Sequence, residues 1–418
     1  MVEIVPTIKL YKKGGCLSAL SHSYLCGRKA TERLINMSAE LFWRTMQGED
    51  VERVPVVPKI WIDLAGNLLH RDWRSLLSDP EYATVSVIEA AKMAQCDAAR
   101  IFLFPRRYIE QHQDELIQAD SHGRILGTVD IKGGFATQLE RQEDFHMDDP
   151  EMVLGHQFFH TPHPVISSED DLKHLCIPTK KELQDLYQGI ISRAQNSGGE
   201  DVYCIGDCGS GTMAFCISLM GMDNTLFSLY GNPELILAVM QKGIAITLET
   251  AKLMIDQGVR VLRYNDSAGN MSLLSPAMWR KFIAPNLTYF CKEVHSYCPE
   301  AKIYCHICGN ILPILEDLIE TGLDCIAPLD PLGGFSVAEI RQRTGDSVIL
   351  MGGVNTLSFL NSTPQELEEE CRNCIQEGYN GGRYILGSGC VVPRDTKLEQ
   401  LFAMKQSTVY KGLHRVTV

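Results

Sequence analysis

Two stretches of the sequence bring together residue types that bind soft transition metals. One is the run Tyr304–Asn310, which contains His306 and Cys308, and the other ends at Cys390. Residues i and i+2 of a strand face the same side, so His306 and Cys308 can point together. Two thiolates and one imidazole, with a fourth position open, form a ligand set of catalytic zinc. The sequence therefore predicts a Zn²⁺ site of His306, Cys308 and Cys390; packing of the three between strand and helix is the alternative.

Two C-x₂-C pairs offer a different zinc site. They are Cys305 with Cys308 and Cys371 with Cys374, which a structural Cys₄ site would join. However, 62 residues separate the two pairs, far more than a zinc ribbon allows. Cys371 and Cys374 also lie on an acidic helical segment, where residues i and i+3 share one face. We therefore expect these two thiols to be half-buried apolar residues.

Charge and composition exclude several classes of protein. The 418 residues include 39 Lys and Arg against 52 Asp and Glu, a formal net charge of −13, which argues against a uniformly basic nucleic-acid surface. The first 13 residues hold no apolar run typical of a signal peptide, and no apolar run is long enough for a spanning helix. We therefore expect a cytoplasmic protein whose fifteen cysteines are thiols or metal ligands rather than disulfides.

Short β-rich runs alternate with segments of helical periodicity along most of the chain. Eight runs alternating with helices predict an α/β fold, a (β/α)₈ TIM barrel. A doubly wound open sheet is the alternative, but no Gly-x-Gly-x-x-Gly segment opens a helix. The predicted strands are Val56–Ile62, Ala99–Phe104, Val202–Gly206, Val259–Asn265, Lys302–Ile307, Asp324–Pro328, Ser347–Gly352 and Arg383–Gly387.

Capping residues predict where several helices begin. Ser275 and Thr363 each place a hydroxyl directly before a proline at the first helical position. The clearest predicted helices are Asp79–Gln95, Pro233–Gln257, Pro276–His295, Ile311–Thr321 and Pro364–Glu377.

The chain is predicted to be one elaborated barrel with two additions. Residues 1–50 are expected to form a mostly helical N-terminal extension, with Thr31–Met46 amphipathic, and residues 51–410 the barrel. The stretch of about 105–200 is too long for one crossover connection. We therefore expect an insertion after the second strand, with helical and hairpin-like pieces.

In such a barrel the active-site groups lie just past the C-terminal ends of the strands. Both metal-ligand stretches fit that position. Asp266 directly follows the predicted strand Val259–Asn265, which makes it our candidate for a catalytic acid near the metal. A polar loop residue that caps Ser267–Asn270 is an equally good interpretation of Asp266.

Five stretches of the C-terminal half carry a resemblance to a known family. They are His306–Asn310, Gly322–Asp324, Gly352–Thr356, Thr363–Glu366 and Gly382–Leu386. The chain resembles the uroporphyrinogen decarboxylase superfamily from about Val202 to Met404, and more weakly over Val51–Phe104. The resemblance implies a (β/α)₈ barrel, in agreement with the strand count.

That superfamily contains two chemistries, and the sequence resembles one of them more closely. Its decarboxylases use no cofactor and hold an acidic tetrapyrrole with arginines and a catalytic aspartate. Where those residues are expected, this chain has Ile62–Asn67 and Phe102–Pro105, and Val391–Arg394 replaces an expected histidine. The methyltransferase branch is similar to zinc enzymes with ligands in His-x-Cys and a distant Cys. His306, Cys308 and Cys390 match that pattern.

The resemblance implies an enzyme that moves a methyl group between a small molecule and the cobalt of cobalamin. A separate corrinoid protein would carry the cobalamin, because this chain has no Asp-x-His-x-x-Gly segment. The long insertion favours a bulky methyl ether such as a methoxylated aromatic, an O-demethylase reaction, over a thiol. The alternatives are a uroporphyrinogen-type decarboxylase that uses Arg106 and Arg107, and a non-enzymatic corrinoid- or tetrapyrrole-binding protein. No nucleic-acid or membrane partner is expected, and the sequence leaves a homodimer open.

Two further clusters are interpreted as structural. His156, His160 and His163 lie close together, but prolines interrupt any helical register, so we expect loop histidines. Cys204 and Cys208 flank a predicted strand end without a nearby base, which indicates packed thiols rather than a nucleophile.

Overall fold

The computed structural model describes most of the chain from Ser38 onwards. The described ranges are 38–112, 115–129, 137–138, 145–156, 159–160 and 163–408. Most of the predicted N-terminal extension, residues 1–37, lies outside the described residues, and only its end can be compared with the structure.

The strands fall into two sheets. In chain order they are β1 (Ala98–Ile101), β2 (Tyr108–His112), β3 (Glu115–Ala119), β4 (Ile125–Val129), β5 (Thr137–Gln138), β6 (Phe159–His160), β7 (Tyr203–Asp207), β8 (Val261–Asn265), β9 (Lys302–His306), β10 (Cys325–Leu329), β11 (Ile349–Val354) and β12 (Tyr384–Ser388). The main sheet is parallel, in the order β1-β7-β8-β9-β10-β11-β12. This curled parallel sheet confirms the predicted α/β, TIM-barrel-like fold.

The segment before α2 (Ile62–Leu69), around Val56 and Val57, closes the gap between β12 and β1. Val57 N donates to Leu386 O at 2.8 Å, and Asp97 N donates to Val56 O at 2.9 Å. Backbone hydrogen bonds therefore continue from the last strand of the sheet to the first.

The predicted strand Val56–Ile62 is reduced to two isolated bridges, at Val56 and Lys59. Pro55 and Pro58 have no backbone N–H, so a continuous ladder is interrupted on either side of Val56. Ile62 begins a helix instead.

Helices surround the main sheet and connect its strands. They are α1 (Ser38–Met46), α2 (Ile62–Leu69), α3 (Trp73–Ser78), α4 (Pro80–Met93), α5 (Pro150–Gly155), α6 (Glu169–His174), α7 (Lys180–Gly198), α8 (Met213–Met220), α9 (Met222–Gly231), α10 (Pro233–Asp256), α11 (Pro276–Phe282), α12 (Ala284–Tyr297), α13 (Leu315–Glu320), α14 (Val337–Thr344), α15 (Ser358–Asn361), α16 (Pro364–Gly378) and α17 (Leu398–Ser407). Among the described residues, no helix combines the length and apolar character needed to cross a membrane.

The predicted capping residues are present at the helix starts. Thr363 accepts a hydrogen bond from Glu366 N at 3.3 Å in a capping box, and α16 begins at the next residue. Ser275 accepts from Met278 N at 3.3 Å at the start of α11. The predicted helix Pro276–His295 is divided into α11 and α12, because Pro285 in the first turn of α12 lacks an N–H.

Helix α1 fills the N-terminal end of the barrel. Phe42 and Met46 belong to one buried cluster with apolar side chains from the strands, and the Trp43 ring stacks on Tyr203 at 6.2 Å between centroids. Ala98, Tyr203 and Val261 each begin their strands, so α1 lies opposite the C-terminal mouth. The cluster members from the strands are Ala98, Ile205, Val261, Tyr304, Cys325, Ala327, Ile349, Met351 and Ile385.

A second sheet follows β1, at the predicted place of the insertion. Strands β2 to β5 pair antiparallel, and β5 pairs parallel with β6. Leu126 and Val129 of β4 are buried in the main core of the protein. Helix α7 then leads directly into β7, and so provides the crossover between the parallel neighbours β1 and β7.

The buried carboxylate of Asp97 joins three segments at the barrel closure. It accepts hydrogen bonds from Arg53 Nη1 and Nη2 at 2.7 and 2.6 Å, from Val56 N at 2.7 Å and from Lys405 Nζ at 3.1 Å. Burial alone would raise the pKa of Asp97, but the hydrogen bond from Arg53 and the charges of Arg53 and Lys405 lower it. Asp97 thus ties the bridging segment and α17 to the start of β1.

Replacement of Asp97 by Asn is expected to destabilise the protein strongly. The change leaves the cations of Arg53 and Lys405 without their buried counter-charge, at a cost of about 3 kcal/mol in the free energy of unfolding. Urea denaturation measures this value. Glu316→Gln, which breaks the exposed pair with Arg343, is the control and is expected to cost less than about 1 kcal/mol. Similar losses in both variants would contradict this account of the closure.

Candidate metal centre

The predicted metal ligands meet at the C-terminal mouth of the barrel. His306 is the last residue of β9, and Cys390 follows the end of β12 by two residues. Strands β10 and β11 lie between β9 and β12, so Cys390 reaches His306 across the mouth and not from a neighbouring strand. His306 is buried, whereas Cys308 and Cys390 are half-buried.

The distances between the ligand atoms fit a small tetrahedral ion. Cys390 Sγ and His306 Nε2 lie 3.9 Å apart, and the ligand atoms of His306, Cys308 and Cys390 all lie within 4.8 Å of one another. Zn–S bonds of about 2.3 Å and Zn–N bonds of about 2.0 Å place tetrahedral ligand atoms roughly 3.6 to 3.8 Å apart. The three side chains therefore need only a small contraction to hold zinc.

The loop after β10 holds the two ligand loops together. Asp330 accepts hydrogen bonds from Gly309 N at 2.9 Å and Leu332 N at 3.1 Å. A Cβ atom on Gly333 would lie 2.4 Å from Gly309 O, so only glycine permits this approach. A Cβ atom on Gly389 would meet Pro331 at 2.8 Å, which shows the same close packing beside Cys390.

The protonation states of the three residues suit metal ligation. The Cys308 thiol donates a hydrogen bond to the Cys390 sulfur, which lowers the pKa of Cys390 and raises the pKa of Cys308. Burial, and then the charge of Lys59, lowers the pKa of His306 well below its ordinary value. A neutral imidazole and a thiolate are the states in which His and Cys bind metal.

Lys59 also belongs to this site, although no sequence motif marks it. Its Nζ lies 2.8 Å from His306 Nε2, and its backbone N donates to Ser388 Oγ at 2.9 Å. Burial, followed by the charges of Arg263 and Arg100, lowers the pKa of Lys59 well below its ordinary value. Ligation of a metal by Nε2 requires Lys59 to give up this contact.

A cavity of about 340 Å³ opens beside Lys59 at the barrel mouth. Its wall combines apolar and aromatic side chains with several charged and polar ones. The lining residues are Lys59, Trp61, Asp63, Phe102, Leu103, Asp207, Arg263, Asn265, Ser267 and Val391. This volume lies at the lower end of the range for pockets that bind small molecules.

Two buried arginines were missed by the sequence analysis. Arg100 of β1 and Arg263 of β8 are only 5% and 4% exposed. Both donate to Asp207 Oδ2, at 3.1 and 2.6 Å. One feature of the sequence could have revealed them: each is a charged residue within a mostly apolar predicted strand.

The Asp266 carboxylate binds donors at the N-terminus of a helix. Asp266 is fully buried, and it accepts hydrogen bonds from Thr212 Oγ1 at 2.6 Å and Ala214 N at 2.9 Å, at the N-terminus of α8. Burial raises the pKa of Asp266 to about 6. Its backbone N donates to His306 O at 3.1 Å, so it adjoins the metal site through the main chain. Its role as a catalytic acid stays a prediction.

The arginine pair considered for a decarboxylase, Arg106 and Arg107, interacts with residues outside the cavity. Arg106 is ion-paired with Asp79 at 2.8 Å. Arg107 is buried and donates to Glu151 O at 3.2 Å. Neither lines the cavity beside Lys59.

The other candidate clusters do not assemble a metal site in the described part of the chain. Cys371 and Cys374 pack as apolar residues, as expected, but they are buried in the core rather than half-buried. Cys204 and Cys208 are buried too, and burial raises the pKa of both thiols. The thirteen cysteines described in the structure are all free thiols.

One acidic cluster in the insertion already has its counter-charge. Asp120, His122 and Asp149 lie close enough to share an ion. However, the Arg124 guanidinium hydrogen-bonds both carboxylates.

His156 differs from the expected loop histidine because it is buried. It is 5% exposed, and its Nδ1 lies 2.7 Å from Val153 O. Burial lowers the pKa of His156 from 6.5 to about 4. His163 is exposed, and the side chain of His160 lies outside the described residues.

The burial of His156 predicts a loss of stability in acid. Below pH 6.5 the unfolded chain binds a proton at this imidazole, and the folded chain does not until about pH 4. The free energy of unfolding should therefore fall by about 3 kcal/mol through this residue as the pH drops across that window. Denaturation of His156→Gln between pH 7 and 4 should show a flatter pH dependence than the parent. His163→Gln is the control, and an equally flat curve for it would contradict the assignment.

Relatives of two kinds match this chain. A methylated-thiol–coenzyme M methyltransferase from Methanosarcina mazei is 26% identical over 186 residues, which cover 44% of this chain and 47% of that protein. A methylcobamide:CoM methyltransferase from Methanosarcina barkeri is 26% identical over 155 residues, covering 37% of this chain and 42% of that protein. The matches thus span less than half of these two relatives. A uroporphyrinogen decarboxylase from Dictyostelium discoideum is 26% identical over 366 residues, covering 84% and 88%.

A solved structure has the same fold over nearly its whole length. It is a methyltransferase from Methanosarcina mazei, with a TM-score of 0.65, 17% sequence identity, and coverage of 88% of this chain and 97% of that one. At this identity the likeness shows the fold.

The family comparison covers the part of the chain that forms most of the barrel. The model of the uroporphyrinogen decarboxylase family (URO-D) matches residues 153–408, more than half of the chain. That range includes β7 to β12 and all three predicted metal ligands. The resemblance of the sequence is thereby confirmed, and the chain belongs to the uroporphyrinogen decarboxylase family.

Proposed function

We propose that this protein is a zinc-dependent methyltransferase that moves a methyl group between a small molecule and the cobalt of a separate corrinoid protein. The observation that carries the proposal is the cluster of His306, Cys308 and Cys390, whose ligand atoms lie within 4.8 Å of one another. Two relatives named as methyltransferases of methylated thiols or methylcobamide support it.

The chain's own residues prepare the metal site. His306 is held neutral by burial, and the hydrogen bond from Cys308 favours the thiolate of Cys390. Asp330 and the glycines around it fix the two ligand loops at the mouth. A bound Zn²⁺ would supply a Lewis acid for the oxygen or sulfur that carries the methyl group.

The cavity beside Lys59 is the proposed site of the small molecule. Trp61 and Phe102 form an aromatic wall, with their rings 4.5 Å apart in an edge-to-face contact. Lys59 lines this cavity and also contacts His306. A molecule bound here would therefore have one end beside the metal ligands.

A methyl ether such as a methoxylated aromatic is the proposed methyl donor, in an O-demethylase reaction. The aromatic wall supports this choice. The length of the insertion gives less support than the sequence suggested, because no described residue from 105 to 200 lines the cavity. A methylated thiol is the other substrate class, favoured by the name of the relative from Methanosarcina mazei.

A uroporphyrinogen-type decarboxylase is the second candidate function. The long match to the enzyme from Dictyostelium discoideum favours it. Two observations weigh against it: Arg106 and Arg107 have other partners, and a cavity of about 340 Å³ is small for a tetrapyrrole with eight carboxylates.

The metal content of the protein gives the first test. Protein purified without chelators should hold about one zinc per chain, because two thiolates and an imidazole bind zinc tightly. Cys308→Ala and Cys390→Ala should each lose most of it, as measured by elemental analysis. Cys298→Ala, which removes a half-buried thiol away from the site, should retain the metal. Equal metal content in all variants would contradict the ligand assignment.

Methyl transfer gives the second test. The protein is mixed with a corrinoid protein in its reduced cobalt state and a methoxylated aromatic, alcohol, amine or methylated thiol. We expect the absorbance of the methylated corrinoid to appear with the methoxylated aromatic, and at least a hundredfold slower in Cys308→Ala. Cys298→Ala should react like the parent protein. If no donor class methylates the corrinoid while uroporphyrinogen is decarboxylated, the proposed function is wrong.

A further inference from the structure

The barrel mouth holds more buried positive charge than the structure balances. Arg100 and Arg263 share the single carboxylate of Asp207, and both donate to its Oδ2. An arginine side chain stays protonated at physiological pH. Two guanidinium groups against one carboxylate leave an excess of one positive charge.

The other charged groups near the cavity do not remove this excess. Asp63 lines the cavity, but it has its own cation in Arg394, with Nε and Oδ2 3.7 Å apart. Asp330 and Asp266 accept hydrogen bonds from backbone N–H groups and, for Asp266, from Thr212. Within the described part of the chain, neither carboxylate forms a hydrogen bond or an ion pair with the two arginines. The Cys390 thiolate offsets part of the excess in the metal-free site, but with zinc bound the ion and its two thiolates would carry no net charge.

Buried charge without a partner is costly, and the two arginines keep unused hydrogen-bonding capacity. Nε and Nη2 of Arg100 and Nε of Arg263 have no hydrogen-bond partner among the described residues. An unbalanced buried cation is stabilised when an anion binds next to it. Binding of an anion beside these arginines would therefore stabilise the site.

Neighbouring side chains hold the two guanidinium groups in place. Arg100 packs on the rings of Trp61 and Phe102, with Cζ 5.0 and 4.7 Å from the ring centroids. Arg263 Nη2 donates to Asn265 Oδ1 at 2.5 Å. Because these donors are pre-positioned, little side-chain freedom is lost when an acidic group binds.

We infer that the small molecule bound at the barrel mouth is an organic anion, a carboxylate or a sulfonate, whose acidic group is held by Arg263 with Arg100 behind it. Arg263 and Lys59 line the same cavity, and Lys59 contacts His306. An anion paired with Arg263 would therefore extend along the aromatic wall towards the metal ligands. That this anion is also the methyl donor or acceptor rests on the proposed function; its binding does not.

Calorimetry with three matched probes tests the inference on the full-length, zinc-loaded protein. The probes are 3-methoxybenzoate, 3-methoxybenzenesulfonate and the neutral 3-methoxybenzamide. We expect at least one anion to bind at least tenfold more tightly than the amide, and the stronger anion identifies the acidic group. Equal affinities for all three probes would overturn the inference.

Variants of the charged residues test the assignment to Arg263. Arg263→Met should weaken anion binding at least tenfold and leave amide binding unchanged. Asp207→Asn should strengthen anion binding, because it removes the competing carboxylate. Arg106→Met, which removes an arginine that is 52% exposed, is the control and should bind like the parent. If Arg263→Met does not fold, the double variant Arg263→Met/Asp207→Asn removes both members of the ion pair together. This double variant should bind the anion less tightly than Asp207→Asn alone.

The results separate this inference from the proposed function. Anion binding that depends on Arg263, without methylation of any corrinoid, would support the anion site and contradict the methyltransferase. Methylation from the neutral donor with an affinity equal to that of the anions would support the methyltransferase and contradict the anion site.

Discussion

Closure of the parallel sheet is the constraint on which the candidate site depends. The same short segment that bridges β12 and β1 also carries Lys59, whose backbone binds Ser388 at 2.9 Å and whose side chain contacts His306 at 2.8 Å. Asp97 fixes this segment through Arg53 and Val56 N, and it binds α17 through Lys405. Because Cys390 follows Ser388 by two residues, the closure also decides where the last metal ligand stands.

Burial then sets the chemical state of the groups at the mouth. The chain has a formal net charge of −13, yet the interior of the barrel mouth is rich in cations. Burial and the nearby cations keep His306 neutral, and the hydrogen bond from Cys308 favours the thiolate at Cys390. The overall charge of a protein thus gives no guide to the charge inside its site.

The sequence predicted the features that depend on local spacing. Parallel strands that are buried on both faces appear in the sequence as apolar runs, so the fold could be predicted. A hydroxyl directly before a proline indicates the start of a helix, so the caps at Ser275 and Thr363 could be predicted as well. The pairing of His306 with Cys308 follows from the period of a strand. Cys390 follows β12, three strands from β9 in the sheet. Its thiol was proposed as the third soft ligand and supported by the family resemblance, because no strand period links it to His306 and Cys308.

Other parts of the site depend on contacts that spacing does not encode. Arg100 and Arg263 meet through Asp207, and more than a hundred residues separate Arg100 from that carboxylate. Lys59 lies on a segment that two prolines keep from forming a strand, so no periodicity marks its orientation. The strands β5 and β6 have two residues each, too few for any pattern.

The proposed zinc site and the proposed anion site are electrostatically compatible. Two thiolates and a neutral imidazole would leave a zinc centre without net charge, so it would neither attract nor repel an anionic substrate strongly. Attraction would then come from Arg263 and Arg100. The acidic group would be drawn to the arginines rather than to the metal, which leaves the heteroatom at the other end of the molecule to approach the open ligand position. An acidic group that bound Zn²⁺ directly would compete with that heteroatom for the metal, and the buried arginine pair would favour the opposite orientation of the molecule.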